Sequence, residues 1–72
     1  EAEVLEFEVK PGSKITNKEI KDLGFPKTAI IGGVVRDGTG VIAMGDFRVQ
    51  AGDHVVVFAL PDAIKKVESF FK

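Results

Sequence analysis

Residues 29–60, "AIIGGVVRDGTGVIAMGDFRVQAGDHVVVFAL", constrain this chain more than any other part of it. Laid out as strands, their apolar residues fall on both faces: Ile30 and Val34 against Ala29, Ile31 and Val35, then Val56 and Phe58 against Val55 and Val57. A strand that is apolar on both faces needs two covers. Two short segments, one before this stretch and one after it, can form helices, and together they cover one side of a small sheet. The other side is then an apolar patch on the order of several hundred Å², more than a monomer usually leaves open. A second chain is therefore expected over the segment 30–35, unless the helices split across the two faces or the strands curl until both faces find cover, with Gly32 and Gly33 where two backbones come close or where a bulge forms.

Local signals set the element order. In "VLEFEVKPGS", Leu5, Phe7 and Val9 alternate with Glu6, Glu8 and Lys10, a strand with one wet face that Pro11-Gly12 stops. "ITNKEIKDLGF" predicts a short helix, with Thr16 as its cap, Glu19 reaching back, Ile15 and Ile20 as a hydrophobic staple, and Gly24 followed by Pro26 as its end. Asp37-Gly38 between apolar runs predicts a hairpin with a type I′ turn. "HVVVFAL" is a further strand. In "PDAIKKVESFFK", Pro61 and Asp62 suit the first turn of a helix whose apolar stripe is Ile64, Val67, Phe70 and Phe71. The reading is an α+β domain with a four-stranded, mostly antiparallel sheet and two helices, in the order β-α-β-β-β-α.

Composition narrows the function. The chain has 72 residues, no cysteine and a formal charge of −1, with its basic residues scattered. Disulfides and thiolate metal sites are excluded, and generic binding to nucleic acid or insertion into a membrane is disfavoured. A soluble domain is expected, and the start at Glu1 without an initiator Met is read as a piece of a longer protein.

Catalysis finds no support in the residues. Asp53 and the single histidine, His54, are adjacent, so on a strand they point to opposite faces and make a poor catalytic pair. Asp37-Gly38, Gly45-Asp46 and Gly52-Asp53 read as turn chemistry. Arg36 ends an apolar strand and can hold a carboxylate or phosphate with two parallel bonds; a glutamate of the first strand is the expected partner. "GFPKTAIIGG" has neither the glycine order nor the following helix of a dinucleotide fingerprint.

The run "IIGGVVRDGTGVIAMGDFRVQAGDHVVVFA" followed by "LPDAIKKVESFF" resembles the C-terminal domain of the TrkA family, the C-lobe of the regulator-of-potassium-conductance module. The likeness spans nearly all of residues 1–72, and its most specific part is Gly52-Asp53 entering an apolar strand before a proline-started helix. It departs from the usual pattern at Ala43 and Phe47. The resemblance implies a cytoplasmic regulatory domain, peripheral to the inner membrane through a potassium transporter or channel subunit, that pairs as a homodimer and biases gating. It implies no cofactor in this domain, although a cyclic dinucleotide or another small anionic ligand is a candidate, with Lys27, Thr28, Ile30, Ile31 and Arg36 as candidate ligand-binding residues. Two alternatives stand beside it: a structural pairing module without ligand, and a regulatory insert of another ion or anion transporter.

Overall fold

The structure, a computed structural model, describes residues Glu1–Lys72. Strands β1 (Glu3–Glu8), β2 (Ala29–Arg36), β3 (Thr39–Val41) and β4 (His54–Ala59) precede helix α1 (Ile64–Phe70). They form one antiparallel sheet in the order β1-β4-β2-β3. β4, the run richest in valine, thus lies between β1 and β2, where β-branched side chains pack against neighbours on both sides.

Asp37 and Gly38 both have positive φ, 51° and 78°, as a type I′ turn requires, and this turn joins β2 to β3. β3 is only three residues long, so "VIAM" is mostly loop rather than strand. Gly32 forms a bulge: Ile31 opposes Val57, and the next paired residue, Gly33, opposes Val56. The extra residue corrects the facing expected from simple alternation. Val34 joins Ala29 and Ile31 on the covered side, and Val35 joins Ile30 on the open one.

The expected first helix is replaced by two 3-10 turns, Lys14–Thr16 and Ile20–Asp22, and Thr16 caps neither. Its hydroxyl instead donates to the Ser13 carbonyl at 2.8 Å. The cause lies in the segment 42–53 that links β3 to β4. An α-helix would bond the Ile20 and Lys21 amides to carbonyls four residues back, but they donate to Phe47 O at 3.0 Å and Gly45 O at 2.9 Å. Arg48 Nη1 takes the Asn17 carbonyl at 2.9 Å. Long-range bonding therefore overrides the local helix signal. Ile15 is nonetheless fully buried and Ile20 packs on the core, as their apolar character requires.

After a 3-10 turn at Pro61–Ala63, α1 lays Val67 and Phe70 against the sheet, with Phe71 just beyond. Phe71 stacks on Phe7 of β1, with ring centroids 3.9 Å apart, and Phe70 packs at a tilt on Phe25. Val34, Val55, Val57 and Ala59 complete the sheet side of this core, and Val9 and Val49 close it from the segments flanking the sheet. Both helical segments therefore lie on one side of the sheet.

Candidate functional site

The far side of the sheet has no cover. β1 contributes Val4, Glu6 and Glu8 to it, β4 contributes His54, Val56 and Phe58, and β2 contributes Ile30 and Val35. Ile30 is 65 % exposed, Val4 57 % and Phe58 42 %, large values for apolar side chains within a sheet. Ile42 and Met44, in the loop after β3, are also exposed.

Phe58 explains Gly32. A Cβ at Gly32 would overlap the Phe58 ring, so the glycine leaves room for the ring beside the bulge. Of the two outcomes expected at the paired glycines, the structure has the bulge; the group close to Gly32 is the Phe58 side chain of the same chain, while Gly33 has open space at its Cβ position.

Two open depressions flank Ile30. One, of about 280 Å³, is lined by Ala2, Lys27, Thr28, Ile30, Phe58 and Leu60 together with the backbone neighbours Ala29 and Ala59. The other, of about 260 Å³, lies between Ile30 and Ile31 on one side and Ile20, Phe25 and the loop residues Ala43, Met44 and Gly45 on the other. Of the five candidate residues, Lys27, Thr28 and Ile30 thus share the first depression, and Ile30 and Ile31 share the second. Ile31 also packs against the core and is half-buried, so the residue that faces outward here is Ile30. The Thr28 hydroxyl donates to Asp62 Oδ1 at 3.0 Å, tying the start of β2 to the turn before α1.

Arg36 stands apart from both depressions. Its partner is Asp53 rather than a glutamate of β1, because the Gly32 bulge turns Arg36 toward the covered side. Nε donates to Oδ1 at 2.9 Å and Nη2 to Oδ2 at 2.8 Å; Nη2 also reaches the Arg48 carbonyl at 3.1 Å, and the guanidinium lies over the Phe47 ring. The Gln50 amide donates to Asp53 Oδ2 at 2.8 Å, the turn role expected for Asp53. The hydrogen bond from Arg36 is the main force holding the Asp53 carboxyl below its ordinary value; burial opposes it and the Gln50 amide adds to it. The same bond raises Arg36. Such a site is a latch that fixes the 42–53 segment, and its cation is already matched.

His54 points away from Asp53, to the open face, where Nε2 lies 2.8 Å from Glu6 Oε1 and Nδ1 3.8 Å from Glu8 Oε2. Neither the pairing of His54 with Glu6 and Glu8 nor Phe58 is among the candidate site residues that the sequence suggests. Strand register is the signal that could have found them, because it sets Glu8 directly opposite His54 and Ile30 opposite Phe58.

The TrkA-C domain family matches residues 4–72. The chain belongs to that family. A Trk system potassium uptake protein TrkA homolog 2 of Methanosarcina mazei is 41 % identical over 71 residues, 99 % of this chain and 16 % of that protein. A TrkA homolog of Pyrococcus abyssi is 31 % identical over 72 residues, 99 % of this chain and 32 % of that protein. This TrkA-C domain therefore corresponds to a small part of the relatives it matches. A solved structure described as an RCK domain with cda superposes with a TM-score of 0.76 at 16 % identity, covering 96 % of this chain and 97 % of that one, which shows a shared fold. The family is regulatory, and the TrkA-C domain is not an enzyme.

Proposed function

We propose that this TrkA-C domain is the ligand-sensing and pairing module of a potassium uptake system, in which two copies join through the open face of the sheet and a bound small molecule biases gating. The observation that carries the reading is the placement of Ile30. It is the most exposed apolar residue of the sheet, and it separates two depressions whose walls include the segment 27–31. A second copy closing over Ile30, Val35 and Phe58 removes that apolar surface from water, and a two-fold pair needs only one self-complementary patch. The same closure turns the open depressions into a cleft shared by two chains.

The ligand proposed for that cleft is a cyclic dinucleotide or another small anion. Lys27 supplies positive charge at the rim, while Ile30, Ile31 and Phe58 supply apolar walls for a planar ring. Arg36 and the Thr28 hydroxyl, held by Asp53 and Asp62, act on a ligand only if those bonds exchange. Relatives named as Trk system potassium uptake proteins support a potassium transporter or channel subunit as the partner, with the domain in the cytoplasm and peripheral to the membrane through that subunit. No helix is long and apolar enough to cross a membrane. On this reading, residues 1–72 are one regulatory domain of a longer protein.

A second reading, a pairing module without ligand, is favoured by the same two engaged groups, which leave Lys27 as the one candidate cation without an ion pair in this region. Titration with a panel of nucleotides and cyclic dinucleotides, read by amide NMR, separates the two. Ligand sensing predicts shifts concentrated at residues 27–31 and at Phe58. A panel that leaves those amides unmoved, in a protein that still pairs, favours the ligand-free module.

A further inference from the structure

The open face is not uniformly apolar. At the end where β1 finishes and β4 begins, His54 sits between two carboxylates of the neighbouring strand, with its Nε2 2.8 Å from Glu6 and its Nδ1 3.8 Å from Glu8. All three side chains retain solvent contact in the single chain, the imidazole least. On its other flank, β2 places Val35 directly opposite His54, and no charged side chain of β2 shares this face, because Arg36 turns to the covered side and binds Asp53. Asp53, the preceding residue, is turned inward as well. Glu6 and Glu8 are therefore the charged groups that face the imidazole, and Val35 joins the cluster to the apolar patch.

We infer that this cluster makes pairing through the open face depend on pH, with the paired state favoured when His54 is protonated. The inference rests on the pairing proposed above. A second copy seated over Val35 removes water from the margin where His54 lies. With the imidazole neutral, that margin carries the two carboxylate charges in each chain, and both desolvation and repulsion between copies oppose closure. With the imidazole protonated, one of those charges is matched by a hydrogen-bonded partner and the net charge of the cluster is halved. The paired state then binds the proton more tightly than the free chain does, so pairing takes up protons. Histidine is the side chain whose ordinary titration falls within the physiological range, and His54 is the only one in the chain. The sign follows: association strengthens as pH falls through the histidine range and weakens as it rises.

The test is the dimer dissociation constant of the 72-residue chain, measured by sedimentation velocity, together with His54→Gln and the double variant Glu6→Gln/Glu8→Gln. Proton uptake by each chain on pairing predicts binding about tenfold tighter near pH 5.5 than near pH 8, with the slope abolished in His54→Gln. The double variant should pair as tightly near pH 8 as the parent does at the acid end, which separates charge from any local effect of the histidine change. A parent that pairs with a flat pH profile, or a His54→Gln variant that keeps the parent's slope, overturns the switch and leaves pairing standing. A folded parent that stays monomeric at both ends of the range overturns the pairing itself, and the switch with it.

Discussion

Arg36 holds Asp53 by two parallel hydrogen bonds, Nε to Oδ1 at 2.9 Å and Nη2 to Oδ2 at 2.8 Å, joining the last residue of β2 to the residue that leads into β4. Asp53 is almost fully buried, and the fork of Arg36 is its counter-charge. Its carboxyl is depressed in the folded state, so the stability it contributes is present above the ordinary carboxylate value and is lost as pH falls through the lower, folded value. Asp53→Asn should lower the melting temperature near neutrality and flatten its decline in acid. Thermal melts followed by circular dichroism from about pH 3 to pH 7 read both effects against the ordinary carboxylate range. A variant that melts like the parent near neutrality would show that the latch adds nothing to stability.

Gly32 and Phe58 form the second coupled pair. Gly32→Ala forces the Phe58 ring off the bulge, and overpacking of this kind costs about 1–2 kcal/mol, softened here because the ring can turn toward solvent. Phe58→Ala removes the obstacle. The double variant should therefore be more stable than the sum of the two single losses predicts, and denaturant melts of all four proteins measure that coupling. Strict additivity would mean that the ring does not rest on Gly32.

Gly38 has φ of 78° in the β2–β3 turn, a conformation strained for any residue with a side chain. Gly38→Ala should destabilise the domain by about 1 kcal/mol, which in a chain of this size lowers the melting temperature by about 4–8 °C. Thr16→Ala should have a smaller effect, since Thr16 donates to the Ser13 carbonyl and caps no helix. Side-by-side calorimetry ranks the two; a larger loss at Thr16 would restore the capped helix.

The elements most legible in the sequence were those fixed by local chemistry. Asp37-Gly38 can adopt two positive φ angles, Pro61 starts a helical turn, and Val67, Phe70 and Phe71 recur at helical spacing, so the turn and the C-terminal helix follow from neighbouring residues alone. The excess of apolar strand faces over helical cover also predicted a bare side of the sheet. What was not legible depended on residues far apart in the chain. Ile20 and Lys21 exchange helical bonds for carbonyls of Phe47 and Gly45, which no local window contains. The bulge at Gly32 reverses the facing of every later residue in β2, moving Val34 inward and Arg36 toward Asp53. One inserted residue thus redirected the expected ion pair and set Val34, rather than Val35, beside Ile31 on the covered side.

The candidate site divides along the same line. Lys27, Thr28 and Ile30 are close in sequence and remain together around one depression. Phe58, which completes its wall, comes from β4 through the register that pairs it with Ile30. Ile31→Lys should destabilise the monomer by about 2–3 kcal/mol, because it places a charge against the core. Chemical denaturation checks this, and an unchanged midpoint would place Ile31 outside the core.

The central claim is that two copies pair through the open face around Ile30. Its most direct measurement is the molar mass in solution, by light scattering, of the parent and of Ile30→Lys, each with a circular dichroism spectrum. A dimeric parent and a folded, monomeric Ile30→Lys are the predicted result. A parent that is monomeric at high micromolar concentration, or a variant that pairs as tightly as the parent, would contradict it.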